Sequence, residues 1–286
     1  MGIFSRTKQF SLESEVVNGI NAVVPRPEHA HALGERHHFP LGRSAGGEVI
    51  WDAQARPNLF AVGAARLGRS TLARTLAAHG YEHADAWEIR VVHSALAADS
   101  ADRTTDYEAE YQARVQTYKD NQGFIRVLDG LRAIISERHA QLATPGAPPL
   151  FPILVICDDL ELFIHPDFSV QGQESQMIAE LLYQLVPRAN AAHIHFAVLN
   201  KGGSLDRIIG TQLAATFMPI TLAQTGEKDS QTLFGSYIAS RIPTRNYFRD
   251  RDKTLPPLIG RGVTLDGSGE PVETQFYNTV VADTWA

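Results

Sequence analysis

Several kinds of residue and segment are scarce in this chain of 286 residues. Its single cysteine, Cys157, cannot form a disulfide within the chain, and its place in an apolar run indicates a buried thiol. No run approaches the roughly 18 apolar residues of a transmembrane helix. The first residues carry neither a hydrophobic signal region nor a myristoylation pattern. These features exclude a disulfide-stapled domain and predict a cytoplasmic protein.

The net charge is weakly acidic, with 26 basic against 32 acidic side chains and a formal charge of -6. The fractions of apolar and charged residues, 44% and 20%, are ordinary for a globular protein and exclude a largely disordered chain. An acidic surface does not attract nucleic acid or membrane through its overall field, so such a partner would need a local patch or an assembled ring. The length allows one large α/β domain or two small ones.

Residues 1–38 are predicted to form an appendage made of a short helix and a linker. Apolar residues recur at helical spacing over residues 11–24, and Pro25 and Pro27 would end that helix. Four histidines follow: His29, His31, His37 and His38. We interpret them as part of a solvated linker. The alternative, a metal site, lacks both a cysteine and a regular helical spacing of histidines.

From residue 47 onward, strand and helix patterns alternate. Strands are predicted at residues 48–52, 58–62, 87–93, 151–157, 193–199 and 217–222, and helices at residues 70–80, 124–142 and 173–190. Residues 99–117 are predicted to be an exposed helix or loop, residues 240–257 a long loop, and residues 258–286 a closing hairpin. The alternation predicts an α/β fold with a mostly parallel sheet flanked by helices.

The segment from residue 63 to residue 71 follows a buried strand and opens a helix. It fits the phosphate loop G-x-x-x-x-G-K-[S/T], except that arginine stands in the lysine position. Backbone N–H groups of such a loop converge on phosphate oxygens, and the helix dipole favours the negative charge. The candidate phosphate-binding residues are Gly63, Ala64, Ala65, Arg66, Leu67, Gly68, Arg69, Ser70 and Thr71.

The change at Arg69 is not conservative. Lysine is a compact point charge that reaches the β- and γ-phosphates, whereas arginine is a bulky planar fork that would act from a displaced position. With the lysine missing, an ordinary strand–turn–helix with coincidental glycines remains an alternative for this segment alone.

A second segment favours the nucleotide interpretation. The apolar strand at residues 152–157 ends in Asp158 and Asp159. In a P-loop enzyme the first carboxylate orders Mg²⁺, together with a hydroxyl here supplied by Ser70, and the next residue polarises the attacking water. Asp159 is shorter than the usual glutamate. We expect Asp158 to face the loop from an adjacent strand tip, in a RecA-like P-loop NTPase that binds ATP and Mg²⁺.

The ordered set of segments resembles the FtsK/SpoIIIE/HerA branch of P-loop motors, which includes conjugative coupling proteins and EccC-type ATPases of type VII secretion. The matching segments are residues 39–42, 48–52, 57–63, 132–139, 192–201, 228–233 and 258–262. The resemblance implies a motor domain at residues 39–286, with Asp159 and Asn200 as catalytic residues and Asn200 sensing the γ-phosphate. It also implies a homo- or hetero-oligomeric ring, DNA or a secreted protein as cargo, and membrane contact only through partner proteins.

Departures from the family pattern qualify that expectation. Besides Arg69 and Asp159, the sensor position holds Asn200 and Lys201, and the late arginine is missing, with Pro219 and Ala223 near its place. A missing arginine finger alone costs roughly 10³–10⁵ in turnover in related chemistry. We therefore expect an ATP-binding motor-type domain with weak or absent hydrolysis.

Other functions remain open at this stage. The alternative is a catalytically dead P-loop scaffold or adaptor that acts through protein–protein contacts, and a small-molecule kinase is a weaker third hypothesis. Basic and aromatic residues between positions 241 and 253 would suit contacts to single-stranded nucleic acid, although a solvated loop explains them more simply.

Overall fold

The computed structural model describes residues 24–25, 37–64, 67–82, 87–93, 115–164, 172–202, 205–242 and 260–278. Several predictions lie outside these ranges: the N-terminal helix up to residue 23, His29, His31, Ala65, Arg66, and most of the segments at 99–117 and 240–257. Val24 was expected to end the N-terminal helix. It belongs instead to a short strand, β1 (Val24–Pro25).

Six parallel strands form the centre of the fold. They are β4 (Asn58–Val62), β5 (Glu88–His93), β6 (Val115–Tyr118), β7 (Ile153–Asp158), β8 (Ile194–Asn200) and β9 (Phe217–Leu222). Their order across the sheet is β9-β4-β8-β7-β5-β6. The strands β4, β7, β8 and β9 are buried along their whole length, as expected for a sheet covered on both faces. The predicted mostly parallel α/β sheet is confirmed.

Two details of this parallel sheet differ from the sequence prediction. Strand β6 lies partly within a segment expected to be an exposed helix or loop, and it pairs in parallel with β5 from Ile89 to Val92. We also expected β4 and β7 to be neighbours, but β8 lies between them and pairs with both. The tip of β8 therefore belongs between the loop after β4 and the aspartates after β7.

Antiparallel strands extend the sheet on the other side of β9. They are β2 (His38–Ser44), β3 (Gly47–Asp52), β10 (Arg261–Leu265) and β11 (Pro271–Asn278), in the order β3-β2-β11-β10-β9. The predicted closing hairpin, β10–β11, is therefore an interior part of the sheet, because β10 pairs with β9 and β11 pairs with β2. The short β1 runs parallel to the end of β11.

Strand β2 was not predicted as a strand. Pro40 and Gly42 interrupt its pattern, and the register shifts between them in a β-bulge, the place where a sheet tolerates proline. A Cβ at Gly42 would overlap the carbonyl oxygen of Gln275 on β11. Glycine at this position thus allows β2 and β11 to pair.

The expectation of a solvated histidine linker is wrong for the two histidines at its end. His37 is 3% exposed, and its ring packs edge-on against Trp87 at a centroid distance of 5.5 Å. His38 opens β2 and faces Asp52, with 3.6 Å between Nε2 and Oδ2. The carbonyl of His37 accepts a hydrogen bond from the backbone N–H of Ala53 at 3.0 Å, which ties His37 to the end of β3.

Three longer helices cover the sheet. Helix α1 (Arg69–Glu82) packs on one face, while α2 (Asn121–Leu142) and α3 (Gln173–Ala189) pack together on the other. The carboxylate of Asp120 caps α2 by accepting a hydrogen bond from the backbone N–H of Gly123, so that helix begins before its first apolar residue. The apolar stripe of α3 includes Ile178, Leu182 and Leu185, all buried.

Shorter elements complete the described part of the chain. They are the 3₁₀ turns Leu160–Leu162 and Asn190–Ala192 and the helices α4 (Leu205–Ile209), α5 (Thr211–Ala214), α6 (Glu227–Phe234) and α7 (Ile238–Arg241). Residues 240 and 241, expected in a loop, thus end α7. Across the described helices, no stretch is both long and apolar enough to cross a bilayer.

Candidate functional site

The loop after β4 leads directly into the N-terminus of α1. The backbone N–H of Gly63 donates to the carbonyl of Asn200 at 3.0 Å, which fixes the start of the loop against the tip of β8. Gly68 has a φ of +99°, a conformation that favours glycine, and the space where a Cβ would stand is open. The carbonyl of Gly68 accepts the first hydrogen bond of α1, from Leu72 at 2.9 Å.

The other described residues of the predicted loop, Ala64, Leu67 and Thr71, take part in local hydrogen bonds. The carbonyl of Ala64 accepts from the backbone N–H of Leu67 at 3.3 Å, and the carbonyl of Thr71 accepts from the hydroxyl of Thr75 at 3.0 Å within α1. Free N–H groups at the start of a helix carry a partial positive charge. The described part of the loop therefore places the N-terminus of α1, with open space beside Gly68, at the carboxyl edge of the parallel strands, where α/β folds bind ligands.

Ser70 and Asp158 meet at this edge. The hydroxyl of Ser70 donates to Oδ2 of Asp158 at 3.4 Å, a long contact between the first turn of α1 and the end of β7. Asp158 is 6% exposed. Its burial raises its pKa to about 6, although the guanidinium of Arg69 opposes that rise. A hydroxyl and a buried carboxylate side by side are suitable oxygen ligands for Mg²⁺.

Arg69 and Asp159 form a two-point ion pair across the same edge. Nη1 of Arg69 lies 3.0 Å from Oδ1 of Asp159, and Nη2 donates to Oδ2 at 3.2 Å. The side chains are only 12% and 17% exposed. Asp159 has a left-handed backbone, with φ 65° and ψ 57°, and its N–H donates to the carbonyl of Leu199 at 2.8 Å. We expected Arg69 to contact a phosphate and Asp159 to contact the attacking water. In the structure the two side chains contact each other instead.

Asn200 lies at the end of β8, between β4 and β7. It is fully buried, and neither its amide nitrogen nor its amide oxygen has a hydrogen-bond partner. Alternation along β8 places its side chain on the same face as Val198, opposite the face of Asp158 and α1. Unsatisfied polar groups at such depth are uncommon and call for a water or a ligand.

Two residues of this region were missed by the sequence analysis. Glu161 follows Asp159 in the 3₁₀ turn, and its Oε1 accepts from the backbone N–H of Gly202 at 3.1 Å. Burial raises the pKa of Glu161 above its usual range. Arg74 is 7% exposed and lies one turn after Ser70 on α1, where its charge favours ionised Asp158. The sequence could have indicated Arg74, because it lies four residues after Ser70 and therefore on the same face of the predicted helix. No sequence pattern indicated Glu161.

His37, one of the four histidines of the metal-site alternative, is not joined to this site. His37, His193 and His195 lie near one another, with ring centroids of the last two 6.4 and 6.2 Å from that of His37. They belong to the amino ends of β2 and β8, whereas the loop follows the carboxyl end of β4. Within the described ranges, no group of three or more potential metal-binding side chains is arranged to hold an ion.

No protein-family model matches the chain, and no curated protein matches it. Its fold is similar to that of the pCW3 conjugation coupling protein TcpA, solved with ATPγS, with a TM-score of 0.70 and 15% identity over 94% of this chain and 72% of that one. The chain shares the α/β fold of this coupling protein. The type VII secretion ATPase EccC of Thermomonospora curvata matches with a TM-score of 0.58 and 16% identity, over 91% of this chain and 28% of that one.

The cytoplasmic domain of EssC matches with a TM-score of 0.60 and 13% identity, over 87% of this chain and 46% of that one. The α/β fold expected from the resemblance, a mostly parallel sheet flanked by helices, is therefore confirmed. This chain spans less than half of the length of the two secretion proteins.

Part of the residue set at the carboxyl edge of the parallel strands suits a nucleotide with Mg²⁺. The loop leaves open space at Gly68, and Ser70 and Asp158 offer oxygen ligands on the α1 face of the sheet. The amide of Asn200, which lacks partners, lies on the opposite face. A bound Mg²⁺ would supply electrostatic stabilisation of phosphate charge. The side chain of Arg69 departs from this pattern, because it is engaged with Asp159.

Proposed function

We propose that this chain is an ATP-binding, motor-type domain of a DNA-translocation or secretion assembly, with weak or absent hydrolysis. The observation that carries the proposal is the contact of Ser70 with Asp158, at 3.4 Å, beside the glycine loop and the N-terminus of α1. A phosphate loop and a metal-binding carboxylate are needed together for Mg²⁺–ATP, and an ordinary strand–turn–helix has no need of either.

Weak hydrolysis follows from the side chains that face the terminal phosphate. Oδ2 of Asp159 accepts a hydrogen bond from Nη2 of Arg69 and Oδ1 lies 3.0 Å from Nη1, so the positive charge beside this carboxylate makes it a poor acceptor for a proton of the attacking water. The engaged Arg69 in turn cannot place its paired donors on phosphate. Lys201, in the loop after Asn200, is exposed. On this proposal the site binds and orients the nucleotide, but Asp159 supplies little general-base catalysis.

The assembly is inferred from the proteins of similar fold. TcpA is a conjugation coupling protein, and EccC is a type VII secretion ATPase. A domain of this kind acts on cargo through a ring of copies or partners, so we expect oligomers that form with nucleotide. Mass measurements by light scattering, with and without Mg²⁺–ATP, would reveal that ring.

Calorimetric titration of the full chain with Mg²⁺–ATP tests the proposed function. We expect measurable binding that Asp158→Asn weakens by about 10-fold or more, since the metal loses a charged ligand. Asp129→Asn is the matched control, because Asp129 is an exposed carboxylate on α2 that pairs with Arg132. Steady-state phosphate release should be slow. No binding at millimolar nucleotide would overturn the proposal.

A second candidate, a scaffold or adaptor without nucleotide, is favoured by one observation. The Arg69–Asp159 pair neutralises the two charges that a nucleotide site would use. If the titration shows no binding while the chain still assembles with partners, this second function replaces the first.

A further inference from the structure

An open cavity lies where α6, α7 and β11 meet. It has a volume of about 740 Å³, which is within the usual range of small-ligand pockets. Its walls combine an aromatic ring, an apolar side chain, an amide, a hydroxyl, a guanidinium and a carboxylate. These groups belong to Tyr237, Ile242, Gln231, Ser236, Arg241 and Glu273. A cavity with this mixture suits a flat ligand that stacks on a ring and forms hydrogen bonds along its edge.

The turn that carries Tyr237 is held by a buried hydroxyl. Ser230 of α6 is fully buried, and its Oγ donates to the carbonyl of Ser236 at 2.8 Å and accepts from the backbone N–H of Ala239 at 3.1 Å. The guanidinium carbon of Arg241 lies 5.7 Å from the centroid of the Tyr237 ring, and Tyr237 remains 47% exposed. An ordered turn thus presents an accessible aromatic ring to the cavity.

Glu273, on β11, supplies the carboxylate. Its Oε1 accepts a hydrogen bond from Nη1 of Arg261 at 3.0 Å, and Nε of Arg261 donates to Oε1 of Gln275, also at 3.0 Å. Arg261 is only 5% exposed, so this support is internal to the sheet. Carboxylates in nucleotide sites accept hydrogen bonds from ribose hydroxyls. The cavity therefore has groups for a sugar as well as for a ring.

The cavity lies on the side of the sheet where α1 packs. Leu67 of the predicted phosphate loop and Phe234 of α6 pack against the same apolar cluster, which contains Leu72 and Leu76 of α1. The loop and the cavity are therefore not separated by the sheet.

The end of β9 connects the loop and the cavity. A Cβ at Gly63, the first residue of the loop, would stand 2.9 Å from Cβ of Leu222. Just after β9, the backbone N–H of Thr225 donates to the carbonyl of Ala239 at 3.1 Å. Helix α7, one wall of the cavity, is thus tied to the segment that adjoins the loop.

We infer that the cavity binds the base and ribose of a nucleotide whose phosphates lie on the loop, with the base stacked on Tyr237. The inference rests on the proposed function, because it assumes that the loop binds phosphates, and it adds the recognition of the nucleoside. Aromatic side chains stack on the face of any base, and a glutamine amide matches the hydrogen-bonding edge of adenine. The site therefore derives much of its affinity from the nucleoside, and Gln231 favours adenine.

Calorimetric titration of the full chain with two Mg²⁺-bound probes tests the inference. One probe is the non-hydrolysable ATP analogue AMPPNP, and the other is inorganic tripolyphosphate, which has phosphates without base or ribose. The unmodified protein should bind AMPPNP about 10-fold or more tightly than tripolyphosphate. Tyr237→Ala should weaken AMPPNP binding by about 10-fold and leave tripolyphosphate binding within about 2-fold. Tyr237→Phe, which keeps the ring, should bind AMPPNP almost as the unmodified chain does.

Tyr183→Ala is the matched control, because Tyr183 is 62% exposed and belongs to α3, on the other face of the sheet. It should bind both probes as the unmodified chain does, and thermal melting checks that every variant folds. Photolabelling with Mg²⁺–8-azido-ATP locates the base directly. The label should fall within residues 231–242 or on Glu273, and excess ATP should prevent it.

Three results would overturn the inference and leave the proposed function standing. They are an affinity for AMPPNP no greater than that for tripolyphosphate, a Tyr237→Ala variant that binds AMPPNP unchanged or loses both probes equally, and a label confined to other segments. Failure of the unmodified protein to bind either probe would overturn both.

Discussion

Oε1 of Glu161 accepts a hydrogen bond from the backbone N–H of Gly202 at 3.1 Å, so the turn after β7 is tied to the loop after β8. Asp159 lies on the first segment and Asn200 just before the second. The two residues expected to face a terminal phosphate are thus on linked segments, although the side chain of Asn200 lies on the face of the sheet opposite α1. Rigid support of this kind is what binding geometry requires.

Replacement of Glu161 by alanine should loosen these supports. We expect nucleotide affinity to fall by about 3- to 10-fold and thermal stability to fall by a few degrees, because the N–H of Gly202 loses its acceptor. Glu161→Gln keeps an acceptor oxygen and should bind nearly as the unmodified chain does. Glu137→Ala, on the exposed face of α2, is the control. Equal binding by the alanine and glutamine variants would contradict this role.

Arg69→Lys should raise ATP turnover. Lysine reaches phosphate as a point charge and cannot form the fork that occupies both oxygens of Asp159. An increase of about 10-fold over the unmodified protein is expected, with a further gain in the Arg69→Lys, Asp159→Glu double variant. Phosphate release at saturating Mg²⁺–ATP measures it.

The matched control for this substitution is Arg132→Lys, since Arg132 makes a comparable but exposed ion pair with Asp129 on α2. Unchanged turnover in both Arg69→Lys and the double variant would mean that something other than this pair limits the reaction.

Asp158→Asn should stabilise the chain without nucleotide while weakening its response to Mg²⁺. Burial raises the pKa of Asp158 to about 6, so the carboxylate, although ionised at pH 7, is less stable in the folded chain than in the unfolded chain. Removing the charge should add roughly 1–3 kcal/mol to the free energy of unfolding at pH 7. Urea denaturation at pH 7 checks this, and a loss of stability in the variant would contradict it.

The strands that frame the site were predictable because their apolar runs are continuous. Strands β4 and β9 have the predicted bounds, and β7 and β8 differ by two residues or fewer at each end. Strand β2 was not predictable, because Pro40 and Gly42 interrupt its strand pattern. Their place in the sheet depends on a bulge and on pairing with β11, which is far along the chain. The burial of His37 likewise depends on Trp87, a partner far along the chain.

The site itself was predictable in composition but not in arrangement. Spacing and the resemblance pointed to Ser70 and Asp158, and the fold brings those two side chains together. Spacing says nothing about which charged side chains face each other. The pairing of Arg69 with Asp159 depends on the reach of both side chains and on the left-handed turn at Asp159. Roles assigned to these residues stay predictions.

The stability of the fold should fall with acid through His195, at the amino end of β8. This ring is buried, its Nδ1 donates to the carbonyl of Pro57 at 2.9 Å, and burial lowers its pKa to about 4. His37 and His193 lie close enough to oppose its protonation further. Below about pH 6.5 His195 is protonated in the unfolded chain but stays neutral in the folded chain. The contribution of His195 is therefore complete above that pH and is lost progressively down to about pH 4.

Urea denaturation at pH 7 and pH 5 measures this loss. Asp158 acts in the opposite direction, because its raised pKa makes the folded state bind its proton first as the pH falls. Comparison with His195→Gln isolates the histidine, and the unmodified chain should lose roughly 2 kcal/mol more than the variant between the two pH values. His139→Gln, at a histidine on α2 that contacts the carbonyl of Arg188, is the control and should leave the difference unchanged. Parallel pH profiles for the unmodified chain and His195→Gln would show that the ring titrates normally in the folded state.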